Sequence, residues 1–212
     1  DILSVKVIDD EDRVKHTGAA ILYAIFKGAD IINMSYAESY HLFTDLAIRY
    51  GRSKGVIFVA SSGNLGIDDV FYPAKYDGVY SIGGWDENRN QLFGNYGQGV
   101  HVLAPGYNIR SASLDGGYTV KSGTSMSAAY ASGVMAHLQL QSEQWMDLFN
   151  QASELTEVSY RDEVEDTAVN RKFRTLHVTR LASAPRQGWP ELYGKSKLND
   201  EMAAAAFGSA GN

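Results

Sequence analysis

Residues 17–35 read TGAAILYAIFKGADIINMS. Ile21, Ala24, Ile25 and Gly28 recur at i, i+3, i+4 and i+7, the spacing of one packed helical stripe. Thr17 is placed to cap the start of that helix, and Gly28 to end it in the left-handed conformation. Residues 31–35 follow at once as a short apolar run, the signature of a strand covered on both faces. A helix feeding a doubly covered strand is half of a βα unit. Similar runs lie at residues 2–8, 56–61, 79–83 and 100–104, each bounded by Gly, Asp or Pro. Phe43, Leu46, Ala47 and Tyr50 repeat the helical spacing, with Gly51 as the expected stop. Residues 126–140 form a third helical stretch, rich in the small residues that let a helix lie close to a sheet. This alternation predicts an α/β chain: a three-layer sandwich around a mainly parallel central sheet.

Composition narrows the function classes. A length of 212 residues fits one domain or slightly more, and 44% hydrophobic residues suffice for a real core. The net charge of -6 argues against a nucleic-acid surface, so no nucleic-acid partner is expected. With no cysteine, disulfides, thiolate nucleophiles and cysteine metal sites are excluded. No apolar run approaches the ~18 residues of a membrane span. The chain has no initiating Met and reads as beginning inside a strand at residues 2–8, which predicts that the N-terminal part of the domain lies upstream. Beyond residue 142 the sequence turns polar. Trp145, Leu148, Phe149 and Ala152 fit an amphipathic helix over residues 145–155. The run from Asp162, Glu163, Glu165 and Asp166 to Arg171, Lys172, Arg174 and Arg180 reads as a solvated hairpin or loop within an insert at about residues 157–188. A turn-rich stretch at residues 186–199, a short Ala helix at 201–207 and a mobile tail at 208–212 complete the reading. The domain expectation is therefore residues 1–207, with 208–212 as tail.

Two segments carry chemistry. Ser122-Gly123-Thr124-Ser125-Met126-Ser127 is a glycine-bearing turn running into the third helix. A serine there meets unpaired N–H groups and a favourable dipole, which suit an oxyanion. Residues 59–66, VASSGNLG, end a strand at the side where open α/β sheets place ligand crevices. Asn64 can donate an amide N–H to developing negative charge there. Taken singly, each has a simpler account: Ser caps helices, and Asn between glycines makes turns.

Taken in order, the segments resemble the subtilisin-like serine proteases (subtilases). Residues 122–133, SGTSMSAAYASG, resemble that family's nucleophile block, which puts the catalytic serine at Ser125. VASSGNLG resembles the block of the oxyanion-hole asparagine, which puts that role on Asn64. Tyr72-Pro73-Ala74-Lys75-Tyr76, Leu103-Ala104-Pro105-Gly106 and residues 28–35 resemble further parts of the same domain. By resemblance Ser35, Tyr36 and Ala37 form one wall of the substrate cleft, and Ser61, Ser62 and Gly63 the other. The resemblance covers residues 1–150 and 190–207.

Departures from the family pattern define the open question. The family's triad runs Asp, His, Ser, yet the 212 residues hold no Asp-[Ser/Thr]-Gly block and no His-Gly-Thr-His block. His16, His41, His101, His137 and His177 occupy none of the family's catalytic positions. The cleft strand ends Ser35-Tyr36-Ala37-Glu38, where the family has Ser-Leu-Gly-Gly. Ala129-Tyr130 stands where Pro-His is usual, and the insert has no counterpart. One expectation is the nucleophile-bearing part of a serine endopeptidase, acting on a peptide or protein with Asp and His supplied by an upstream fragment or partner chain. The alternative is an inactive, protease-like structural or interaction subunit. The chemistry needs no cofactor. The resemblance implies structural calcium, but no loop has the ligand spacing, Asp68-Asp69 being the nearest acidic pair. It also implies an extracytoplasmic location.

Overall fold

A computed structural model describes residues 1–86, 88–89, 91–141, 143–162 and 167–176. The elements in chain order are α1 (Thr17–Phe26), β1 (Ile31–Met34), α2 (Leu42–Ser53), β2 (Ile57–Ser61), β3 (Val79–Asp86), β4 (Gln91–Phe93), β5 (Val102–Pro105), β6 (Ile109–Ala112), β7 (Tyr118–Lys121), α3 (Thr124–Gln141), α4 (Trp145–Ala152), β8 (Ser153–Asp162) and β9 (Thr167–Leu176). A seven-stranded sheet carries the order β1-β2-β3-β4-β8-β9-β5, with β3 also pairing β5. The pairs β1–β2, β2–β3 and β3–β5 are parallel, as expected for βα units. β6 and β7 form a separate antiparallel pair.

The central strand β2 is buried along its whole length, and its alternating side chains define the layers. Ile57 and Val59 join Ile82, Val102 and Ala104 against Ala128, Ala131, Met135 and Leu138 of α3. Phe58 and Ala60 face the other way, with Met34 and Val79, onto Ile21 of α1 and Ala47 and Ile48 of α2. That is the expected three-layer sandwich. The small residues of α3 do what their size suggested: Ala128 and Ala131 are fully buried on the sheet.

Several sequence expectations are corrected. Residues 2–8 are not a buried strand: Ile2 is 98% and Leu3 46% exposed. Ile8 only bridges Val14, and the Val7 carbonyl accepts from Lys15 N–H, so this segment folds back on itself and joins no sheet. Thr17 does not cap α1; His16 precedes the helix without a side-chain cap, and the Thr17 hydroxyl bonds Glu38 instead. Gly28 does take the left-handed conformation after α1, with φ 83°. The α2 stripe lies on a different face: Phe43, Leu46 and Tyr50 are exposed, while Thr44, Asp45, Ala47, Ile48 and Gly51 face inward. Gly51 is a packing residue rather than a stop, since a Cβ there would stand 2.6 Å from the Phe58 ring. The fourth helix ends at Ala152, three residues short of the expected end. The polar insert contributes a long hairpin that joins the main sheet, β8 beside β4 and β9 beside β5, rather than a purely solvated loop. Phe173, Thr175 and Leu176 are buried by it. The expected turn region, Ala helix and tail at residues 186–212 lie outside the described residues.

Candidate active site

The parallel strands β1 and β2 end side by side, and α3 begins beside both. Ser125 is the second residue of α3. Its hydroxyl donates to the Ser35 carbonyl at 3.2 Å, and the Ser35 hydroxyl donates back to the Ser125 carbonyl at 2.9 Å. Asn33 extends the contact, its amide nitrogen donating to Ser35 Oγ at 2.9 Å. The end of β1 is thereby fixed against the start of α3.

Asn64 lies just past β2. Its Oδ1 accepts the Thr124 backbone N–H at 3.0 Å and the Thr124 hydroxyl at 3.0 Å. A backbone N–H cannot accept, so the oxygen must face Thr124 and the amide N–H₂ must face away. Thr124 is fully buried, Ser125 half-buried and Asn64 exposed, which leaves the donor end at the surface beside the turn at residues 122–125. A Cβ built on Gly123 would stand 3.7 Å from Asn64 Nδ2. An open recess of about 370 Å³ borders this point, lined by Asn64, Phe93, Gly94, Tyr107, Ser122 and Gly123.

Sequence reading missed the residues that hold this loop. Asn95 is fully buried; its N–H donates to the Gly63 carbonyl at 2.8 Å and its Oδ1 accepts from Leu65 N–H at 2.8 Å. Its carbonyl accepts the Ser62 hydroxyl at 3.1 Å. Gly94, at φ 76°, passes so near the loop that a Cβ would stand 2.6 Å from the Gly63 carbonyl oxygen. The only local signal was the Gly94-Asn95-Tyr96-Gly97 run, which reads as an ordinary turn.

The residues expected to line a cleft are placed differently from one another. Ser35 touches Ser125. Tyr36 is half-buried and Ala37 exposed on the strip leaving it. Ser61 ends β2 and is nearly buried, and Gly63 is half-buried beside Thr124. Ser62 is fully buried, its hydroxyl committed to Asn95 and its carbonyl to Phe71 N–H. Of the histidines, His16 precedes α1, His41 precedes α2 and His137 lies within α3. His101 stands just before β5 and not within it; burial pushes its imidazole pKa down, and its Nδ1 accepts from Ser81 N–H at 3.1 Å. His177 lies outside the described residues. Asp69 bonds Lys75 Nζ at 2.9 Å through both oxygens and accepts the Val70 N–H at 2.8 Å. Among the described residues no group of three or more His, Asp or Glu converges on a metal site, and no helix is long and apolar enough to cross a membrane.

A parallel α/β sandwich that sets a helix-start serine beside a clamped asparagine at the strand ends is the architecture of a subtilisin-like domain. The subtilase family model matches residues 1–208, and the chain belongs to that family. It is 34% identical over 180 residues to a thermophilic serine proteinase of Bacillus sp. (strain AK1), covering 83% of this chain and 44% of the relative. To subtilisin BL of Lederbergia lenta it is 27% identical over 188 residues, covering 87% and 66%. The solved patellamide maturation protease PatA superposes with a TM-score of 0.66 at 29% identity, covering 81% of this chain and 69% of that one. The chain spans less than half the length of the first of these relatives.

Proposed function

We propose that this chain is the nucleophile-bearing part of a serine endopeptidase, with Asp and His supplied by a segment outside the 212 residues. Ser125 Oγ attacks the carbonyl carbon of a peptide bond, and the supplied histidine takes its proton. The bond electrons move to the carbonyl oxygen, and the oxyanion is met by the Asn64 amide N–H and the Ser125 backbone N–H. Collapse expels the amine, which receives the histidine's proton, and water then releases the acyl group from Ser125. The substrate is a peptide or protein, lying between the strip at residues 35–37 and the loop at 61–63, and the setting is extracytoplasmic, as the family resemblance implies. The observation that carries this reading is the clamp on Asn64: its oxygen is held by two donors of Thr124, so the amide presents donors, and only donors, beside Ser125.

The test is covalent labelling of Ser125 with a fluorophosphonate. A serine hydroxyl is a weak nucleophile without an adjacent base. Labelling should be fast in the protein with its upstream Asp and His, and slow in the 212 residues alone. Equal rates would place a base within this chain, and no labelling in either form would favour the inactive subunit.

A further inference from the structure

Asn95 is fully buried and takes no part in lining the recess beside Asn64. It nevertheless grips the chain on both sides of that residue. The Asn95 N–H donates to the carbonyl of the peptide group joining Gly63 to Asn64, and Asn95 Oδ1 accepts the N–H of the peptide group joining Asn64 to Leu65, each at 2.8 Å. The next residue adds a third bond, from Tyr96 N–H to the Ile67 carbonyl at 3.0 Å. Gly63 stands at φ 118°, in the left-handed region, and lies so near the Asn95 amide that a Cβ would stand 2.6 Å from Nδ2. Because Leu65 N–H can only donate, the Asn95 oxygen must face it and Nδ2 must point elsewhere. That Nδ2 is buried, with no hydrogen-bond partner among the described residues.

A buried donor without an acceptor is unfavourable, so packing alone does not account for an amide at residue 95. A leucine would fill similar space and leave no orphan. What the amide supplies is the acceptor for Leu65 N–H. Peptide groups are planar, so the two that flank a Cα set the φ and ψ of that residue. Asn95 holds both of those planes at Asn64, while Thr124 holds the end of the Asn64 side chain through Oδ1. Backbone and side-chain tip are thus fixed by different residues, and neither is sufficient to aim the donor. A misplacement of about 1 Å in a reacting arrangement can cost about 10² in rate.

We propose that Asn95 is a positioning residue for the reaction: it sets the backbone from which the Asn64 donor is aimed, and it acts on catalysis through Asn64. This rests on the reading of Ser125 and Asn64 as catalytic. The test is a double-mutant cycle in the full-length protein, assayed on a fluorogenic peptide. Referring kcat to the enzyme titrated with a fluorophosphonate removes any unfolded fraction from the comparison. Asn95→Leu should lower kcat by about 10- to 100-fold with little change in KM. In an Asn64→Ala background the same substitution should change kcat by no more than about twofold, the spread of independent effects. Ser62→Ala removes only the hydroxyl bonded to the Asn95 carbonyl and should give a smaller loss with the same dependence on Asn64. If Asn95→Leu does not fold, Ser62→Ala decides the question. An unchanged kcat, or a loss of equal size in both backgrounds, would overturn the positioning role and leave the oxyanion reading intact. An inactive wild type, or an Asn64→Ala variant with unchanged kcat, would overturn that reading and this proposal together.

Discussion

Replacing Thr124 by valine isolates the clamp that aims Asn64. Valine keeps the shape of this fully buried side chain, including the methyl that would meet a Cβ on Gly94 at 2.7 Å. What is lost is one hydroxyl. It accepts Gly63 N–H at 3.3 Å and donates to Asn64 Oδ1 at 3.0 Å, with the Gly63 carbonyl at 3.3 Å as the other acceptor in reach. Asn64 Oδ1 keeps the Thr124 backbone N–H, so it is not orphaned. Gly63 N–H loses its acceptor. An orphaned buried donor costs about 1–3 kcal/mol, and this site is half-buried with a long bond, so the expected loss is about 1–2 kcal/mol. For a domain of this size that lowers Tm by about 2–8 °C. Urea unfolding followed by tryptophan fluorescence measures it, with Trp85, 3% exposed, as the buried reporter; the slope m should not change. Thr124→Ser is the control, keeping the hydroxyl and dropping the methyl. If valine stays within ~0.3 kcal/mol of the wild type while serine falls, below the net worth of even one hydrogen bond, the methyl holds this loop and the clamp argument fails.

Two further outcomes follow from the geometry. In the active assembly, Asn64→Ala should lower kcat by about 10²–10³ with little change in KM, because its donor meets charge that exists only along the reaction path; that magnitude comes from a subtilisin and carries over by kinship. An unchanged kcat removes Asn64 from the mechanism. Stability should also fall with acidity: burial holds the His101 imidazole below its usual pKa, so the unfolded chain takes the proton first. The contribution is complete above about pH 6.5 and is lost as pH drops through the lower folded value, with His137 acting in the same sense through its own burial. Urea midpoints between roughly pH 7.5 and 5.5 should show the decline, and His101→Gln should flatten it; an identical decline in that variant argues against His101.

The parts of the fold written in local spacing were legible. Residues 31–35, 56–61, 79–83 and 100–104 each overlap a strand of the sheet, and the small-residue run after Ser125 is α3. The failures have a common cause, since each depends on a neighbour far along the chain. β3 runs on to Asp86 through Gly83-Gly84, read as a stop, because those glycines make room for Leu103 and Phe93. The inward face of α2 is chosen by Phe58 lying on Gly51, not by the apolar residues of the helix itself. The charged run read as a solvated hairpin or loop and gave no sign that the β8–β9 hairpin pairs with β4 and β5 or that Phe173, Thr175 and Leu176 are buried. At the site, Ser125 and Asn64 stood out because their segments form ordered motifs, whereas Asn95 holds the loop through partners about thirty residues away.

The reciprocal bonds between Ser35 and Ser125 span 90 residues of sequence. Closing a loop of that length carries an entropy cost that grows with its size, and contacts of such separation form slowly. The two serines therefore meet only after the β1–β2 pair has formed and α3 has docked on it. A chain caught midway, with helices made and the sheet incomplete, has its serine but no oriented donor and no cleft wall. Under the proposed role of Ser125, its placement is thus coupled to completion of the sandwich, and a nascent or partly unfolded copy would lack the arrangement that the proposed reaction needs.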